Sequence, residues 1–388
     1  MSTPATPAPR PRIRAITGFA NLNSDTWEGV LSSSVDVLRK AQSEFQSAGY
    51  DVAEVRLTSQ PVAQVVGTSE DQALTHLKNL DDLSAKENFI LNLGPAMVTE
   101  VDDDPAIMPI MQQALSTLEH IETSVIIADT NGIHWKTIRL AAELVEYVSQ
   151  HSPQSLGNLN FAAIAMVNPY SPFFPGSYHT EEGEQFSIGL ECGNTVYEVL
   201  TKDKGNYISA LADLTAALTQ QVSAAGAIGS KISHETSWNF LGVYLAPSKG
   251  DQSIAAAVEA YTGEKFGSQG TLTALQLVAS AVQAVEQITN TGLTLSVLED
   301  KLLAQRWAER AFNRDSLFAY SAVGCLGLDT VPLPGDTTVG QLKRIFSDVA
   351  ALATKWNIPV MARVLPLAGK KAGDATAFNS TSLFDTVI

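Results

Sequence analysis

The chain has 388 residues, 45% of them apolar and 17% charged, with 25 Lys and Arg against 41 Asp and Glu for a net charge of −16. Such a composition folds and buries a large core, while its acidity excludes a nucleic-acid partner or an anionic membrane surface, both of which attract basic faces. Two cysteines, Cys192 and Cys325, are too few for a disulfide framework or a Cys-rich zinc site, and a reducing cytoplasm is the expected compartment.

Residues 1–12 hold Pro4, Pro7, Pro9 and Pro11 beside Arg10 and Arg12, with no apolar stretch. They are expected to form a disordered arm and not a signal peptide. Residues 13–388 contain no Pro- or Gly-rich linker and are expected to form a single domain. Ile13–Ala20 reads as the first strand, and 52–57, 88–93, 124–128 and 161–167 as the next four. Their starts are spaced as in strand–helix–strand units, and their short apolar runs suit a parallel sheet covered on both faces. Ser24 or Asp25 is placed to cap the first helix, and Asp104 precedes a proline at the start of another. The apolar run 161–167 is far short of a membrane span.

The second half is less regular. Strands are predicted at 185–190, 238–245, 318–323 and 359–365, with helices at 206–225, 251–261, 271–288, 294–304 and 338–356. About nine strands with crossovers fit either an α/β barrel or an open doubly wound sheet.

In such folds ligands sit beyond the C-terminal ends of parallel strands, which selects particular loops. Asn131 and His134 follow the fourth strand, and Asn168 opens a Pro- and aromatic-rich loop that ends at His179. His179 is the first acid/base candidate because imidazole titrates near working pH; the alternative is that it packs beneath its loop. Ser248 follows the seventh strand, and Cys325 lies between glycines as either a nucleophilic thiol or a small buried residue. Asp129, Glu191, Asp329 and Asp336 offer oxygen ligands to a divalent metal, though Asp336 also reads as a helix cap. Arg363, inside an apolar strand, needs an internal carboxylate or a substrate anion as partner. Lys370 and Lys371 sit among glycines, either to hold an anion or as a solvated loop. No phosphate-binding glycine motif, dinucleotide fingerprint or nucleophile elbow occurs, so no nucleotide cofactor is implied.

The segments 168–190, 245–271, 320–336 and 348–374 together resemble the uncharacterised DUF711 (UPF0210) family over most of the chain after Ile13. The resemblance implies a fold like that of pyruvate formate-lyase and ribonucleotide reductase: a roughly ten-stranded α/β barrel made of two parallel halves. It implies no known reaction. Glycyl radical enzymes carry an Arg-Val-x-Gly segment near the C-terminus; here Arg363-Val364 is followed by Leu365-Pro366, so the radical glycine is missing. Many relatives carry a cysteine three residues before the Gly-Leu-Asp triplet; here Gly324 holds that place and Cys325 comes one later.

The expected function is an enzyme acting on a small polar, anionic metabolite by acid/base or metal-assisted chemistry. His179 would be the acid or base, Asp336 a second carboxylate and Arg363 the anchor. The alternative is a non-catalytic metabolite-binding sensor on the same fold. The expected partners are a small-molecule ligand and identical copies of the chain.

Overall fold

A computed structural model describes residues 10–22, 26–101, 103–180, 183–286 and 293–388. The strands are β1 (Ile13–Ala20), β2 (Val55–Pro61), β3 (Ile90–Gly94), β4 (Ile121–Asp129), β5 (Gly132–Ile133), β6 (Phe161–Ala165), β7 (Gly183–Glu191), β8 (Asn239–Ala246), β9 (Gly327–Pro334) and β10 (Val360–Leu367). All belong to one sheet with the order β8-β7-β1-β2-β3-β4-β6-β10-β9, and β5 hangs from β4 as a hairpin.

Two parallel halves meet in opposite directions. β1, β2, β3, β4 and β6 pair in parallel. β7 pairs antiparallel with β1, and β10 antiparallel with β6. β7–β8 and β10–β9 are again parallel. Between the edge strands β8 and β9 lies an extended segment that begins at Leu293. Leu293 and Ser296 bridge in parallel to Cys325 and Asp329 on the β9 side. On the other side Ser248 Oγ meets Thr294 Oγ1 at 3.0 Å, just past β8. This segment makes the second half five-stranded like the first, yet no continuous backbone ladder closes the barrel among the described residues.

Strand alternation explains how the sheet is filled. Ile16, Leu57, Leu91, Leu93, Val125, Ile188 and Val364 belong to the main core. They pack outward against helices, which contribute Leu31, Leu38, Phe45, Leu214, Leu218, Phe346 and Val349. The intervening residues Thr17, Phe19, Arg56, Thr58, Asn92, Glu122, Ser124, Ser187 and Arg363 point inward, and most are polar. The loop from β6 to β7 enters this interior. Its Ser177 contacts Thr58 Oγ1 at 2.9 Å and accepts on its carbonyl from Asn92 Nδ2. No helix among the described residues is long and apolar enough to cross a membrane.

Several elements depart from expectation. The predicted strand 318–323 is instead the C-terminal part of a helix, Arg314–Ser321, started by an Asn313–Ser316 capping box, and the strand follows at β9. The predicted helix 294–304 is instead an extended stretch to Ser296 and a turn over 297–299, after which the Asp300 carboxylate caps Lys301–Ala308. The helix after Asp104 starts at Ile107, with the Asp104 carboxylate accepting from Ala106 N at 2.9 Å. Ser24 and Asp25 lie outside the described residues; the first helix is Trp27–Ser47. Most of the expected N-terminal arm is likewise outside them. Its last residues engage the body: Arg10 lies 4.9 Å over the Tyr50 ring, and Arg12 Nε is 2.6 Å from Asp51.

Candidate active site inside the barrel

At the end of the barrel marked by the N-termini of β1, β2 and β4, charged side chains cross the interior from strand to strand. Arg14 on β1 reaches Glu54 Oε1 at 3.2 Å and Glu191, at the end of β7, at 4.0 Å. Arg56 on β2 gives both Nε and Nη2 to the other Glu54 oxygen, Oε2, at 2.8 and 2.5 Å. Arg363 on β10 is gripped by Asp329 on β9 at 2.7 Å and by Glu299 at 2.8 Å. Lys249 pairs with Glu299, and Ser296 donates to the other oxygen of Asp329. Glu122 on β4 feels the charges of both Arg56 and Arg363. The layer therefore holds four cations (Arg14, Arg56, Lys249, Arg363) and five carboxylates (Glu54, Glu122, Glu191, Glu299, Asp329). Arg14, Glu54, Lys249 and Glu299 keep 20–27% of their side-chain surface, so water reaches the layer from this end.

Desolvation and pairing divide these carboxylates. Burial would raise Glu299, but Lys249 and Arg363 outweigh it and hold the carboxyl well below its usual range. Glu54 is likewise lowered, with Arg56 and Arg14 overcoming burial. Glu122 behaves oppositely. Burial pushes it up to about 7, and the pull of Arg56 and Arg363 offsets this only in part. Its Oε2 is sealed from solvent and has no hydrogen-bond partner. Asn92 Oδ1 and Ser124 Oγ are also buried without partners. Asn92 is the cross-strand partner of Glu122, and Ser124 lies two residues along β4 on the same face. The loop from β6 closes over this group. The Phe174 ring lies 4.7 Å beneath the Arg56 guanidinium, and Phe173 packs on Tyr244 at 5.7 Å. Tyr244 can lie flat over β7 only because residue 189 is glycine: a Cβ there would stand 2.3 Å from the ring.

A model for the family described as "Uncharacterised ACR (DUF711)" matches residues 9–379. The chain belongs to this family. Among its relatives is a UPF0210 protein of Leuconostoc mesenteroides, 26% identical over 367 residues that cover 90% of this chain and 81% of the relative. One from Listeria monocytogenes is 27% identical over 358 residues, 87% of this chain and 78% of the relative. One from Methanocaldococcus jannaschii is 24% identical over 379 residues, 91% and 82% of the two chains. Among solved structures, the anaerobic ribonucleotide reductase of Thermotoga maritima with glycerol in the active site aligns with a TM-score of 0.49 at 7% identity, over 90% of this chain and 74% of that one.

In this DUF711 member the residues singled out from sequence do not converge. His179 is fully buried at the far end of β1, where its Nε2 is 2.9 Å from the Ala20 carbonyl and its ring lies between Phe19 and Tyr170. Asn168 lines a small, largely apolar cavity at that same end, together with Ser171, Phe173, Leu326 and Met361. Cys325 is buried beside Leu326 in sequence, and burial pushes its thiol well above its ordinary value, which disfavours the thiolate that a nucleophile needs. A cysteine at Gly324 would not fit either: φ is +128° and a Cβ would stand 2.3 Å from that of Ala279.

Asp336 lies outside the barrel in a groove of about 530 Å³ with Arg314 and Arg344. The cap of the following helix is Thr338, in a box with Gln341, and not Asp336. Lys370 is spent on the Ala375 carbonyl at 2.9 Å. Asn131 is exposed at the β4–β5 turn; the adjoining Asp129 carboxylate is 3.3 Å from His134 Nε2, and His134 Nδ1 faces the Ile126 carbonyl at 3.0 Å. Of the predicted residues, Glu191, Asp329 and Arg363 belong to the charged layer and Ser248 borders it; Arg363 gives Nε to Asp329 and Nη2 to Glu299, which leaves it no free charge for a substrate anion. Glu191 and Asp329 belong to the charged layer while Asp129 and Asp336 lie elsewhere, and no group of three or more His, Cys, Asp or Glu side chains that could hold a metal ion occurs among the described residues.

Sequence reasoning missed Arg56, Asn92 and Glu122. Their signal was partly present: Arg56 and Asn92 are each a single polar residue flanked by apolar ones within a strand, Glu122 opens the polar run Glu122-Thr123-Ser124 of β4, and all three are one alternation out of phase with the outward face.

Proposed function

We propose that this protein is an enzyme carrying out acid/base chemistry on a small polar, anionic metabolite inside the barrel, without a glycyl radical. The carrying observation is Glu122: a deeply placed carboxyl moved up to about 7, with one oxygen free of any partner and Arg56 beside it. A proton carrier is most effective when its pKa lies near the working pH, and such perturbed groups cluster at functional sites. Arg56 uses only Nε and Nη2 on Glu54, which leaves Nη1 for an anionic group of the metabolite. The aromatic lid of Phe173 and Phe174 keeps bulk water from this pair, which strengthens both interactions.

The reading is tested by exposing the protein to a mixture of small carboxylic and phosphorylated acids, following retention by mass spectrometry and consumption by proton NMR. One acid is expected to be retained and consumed by the wild type, retained without consumption by Glu122→Gln, and lost by Arg56→Met. Turnover by Glu122→Gln at the wild-type rate, or retention of no acid at all, would overturn it. Retention without consumption by the wild type would make the protein a metabolite sensor. Anaerobic treatment with a glycyl radical activase should give no organic radical signal; a doublet from a backbone glycine would contradict the proposal.

A further inference from the structure

We propose that Asn131 is a self-modification site: it loses its side-chain amide to attack by the main-chain nitrogen of Gly132, and the isoaspartyl product undoes the β4–β5 hairpin.

The attack needs an exposed asparagine followed by an unhindered main-chain nitrogen. Asn131-Gly132 is the one Asn-Gly pair in the 388 residues. Asn131 is exposed at the tip of the turn. Gly132 has φ +126°, and a Cβ placed on it would meet no atom within 4 Å, so neither a side chain nor a packed neighbour shields its nitrogen. Water is the only co-reactant. The bond from Gly132 N to Asn131 Cγ forms, the bond from Cγ to Nδ2 breaks, and the Gly132 amide proton leaves with Nδ2 as ammonia. Water then opens the five-membered imide at either carbonyl. Opening at Cγ gives aspartate at position 131; opening at the main-chain carbonyl gives isoaspartate, in which the chain runs through Cγ.

The surroundings decide what the products do. Asn131 donates its N and Nδ2 to the Asp129 carboxylate at 2.7 and 3.2 Å, and that carboxylate is 3.3 Å from His134 Nε2. Either product replaces the amide donor with a second carboxylate beside Asp129, and like charges so close repel. Isoaspartate does more. The hairpin pairs Ala128 with Ile133 and Asp129 with Gly132, which leaves Thr130 and Asn131 as the whole turn. Turns this short fix the register of their strands. One extra main-chain carbon breaks that match, so Gly132 and Ile133 leave β4. The bond from His134 N to the Ile127 carbonyl, 2.9 Å long at the start of the helix Trp135–His151, goes with them.

The intact protein is held at pH 7.5 and 37 °C for several weeks. Charge forms are separated by ion exchange, the altered peptide is located by mass spectrometry, and isoaspartate is detected by enzymatic carboxyl methylation. A form with one added negative charge should accumulate, with the change at residue 131 and isoaspartate among its products. Asn131→Gln, whose attack would have to close a six-membered ring, should convert at that position at least tenfold more slowly. In the separated isoaspartyl form the amides of Ile133 and His134 should exchange with deuterium at least tenfold faster than in the unmodified protein; in Asn131→Asp, which keeps the main-chain length, they should not. Survival of Asn131 while the exposed Asn379, followed by Ser380, converts would overturn the site, as would conversion of Asn131 only in urea. Unchanged exchange in the isoaspartyl form would overturn the loss of the hairpin.

Discussion

Glu122, the proton carrier proposed above, also has a measurable stability signature. In an unfolded chain this carboxyl ionises near 4.5, whereas in the fold burial holds it protonated up to about 7. The folded state therefore binds an extra proton between those values, and its stability declines as pH rises through that window. Each pKa unit corresponds to about 1.4 kcal/mol, so the decline from this one residue is about 3 kcal/mol. Glu122→Gln removes it. The variant should gain on the wild type by about 3 kcal/mol between pH 4.5 and pH 8, read from urea unfolding at each pH. A constant difference would show that Glu122 ionises normally. Glu54 and Glu299, held ionised by Arg14, Arg56, Lys249 and Arg363, act in the opposite sense: their stabilisation is present above the ordinary carboxylate value and lost on acidification.

At the scale of elements, the loop from β6 and the caps of the outer helices decide how the strands are used. His179 anchors the returning arm of the loop to the end of β1. Its removal leaves the Ala20 carbonyl unpaired and a void between Phe19 and Tyr170, so His179→Ala should cost about 2–4 kcal/mol in unfolding measurements. A catalytic His179 would instead leave stability nearly unchanged. The helix Val339–Trp356 owes its start to Thr338, whose side chain accepts from Gln341 N while the Gln341 side chain accepts from Thr338 N. Thr338→Ala should therefore lower stability by about 1 kcal/mol, whereas Asp336→Ala two residues earlier should change it by less than about 0.5 kcal/mol. The short run 318–323 shows why such signals matter. Its apolar and aromatic residues suit a strand as well as a helix, and the capping box at Asn313 selects the helix.

At the scale of the whole molecule, the two opposed halves put the two ends of the barrel to different uses. One end is plugged by the aromatic loop with His179; the other presents the charged layer to water. Among the described residues, Arg10 and Arg12 meet the latter rim, where the Arg12 carbonyl accepts from Glu191 N at 2.9 Å. The Arg12–Asp51 pair has side chains 49% and 70% exposed, and pairs of that kind contribute little. A chain starting at Ile13 loses that pair, the Arg10 contact with Tyr50 and the hydrogen bond from Glu191 N to the Arg12 carbonyl, and should melt within a few degrees of the full-length protein. A fall beyond about 10 °C would show that the first twelve residues dock as part of the fold, given the few degrees that each kcal/mol moves a domain of this size.

The alternation of short apolar strands with amphipathic helices, and the starts of β1, β6 and β7 to within about two residues, were legible in the residues themselves, because periodicity and turn chemistry are local. So was the membership in a family of two-halved barrels, carried by segments such as 168–190. The site was not. Alternation shows that Arg56, Asn92 and Glu122 share one face of their strands, but not that this face is an interior crossed by Arg363 from β10 and Glu299 from before β9. Those contacts join residues far apart in sequence, and they exist only once the halves meet in opposite directions and the loop from β6 turns inward. The same meeting of the halves set Asp336, past the end of β9, away from His179, since a strand's C-terminal end in one half lies at the opposite end of the barrel from its counterpart in the other. Pairing also decided the charges: the chain encodes each carboxylate alike, and only burial without a donor raises Glu122 while two cations lower Glu299.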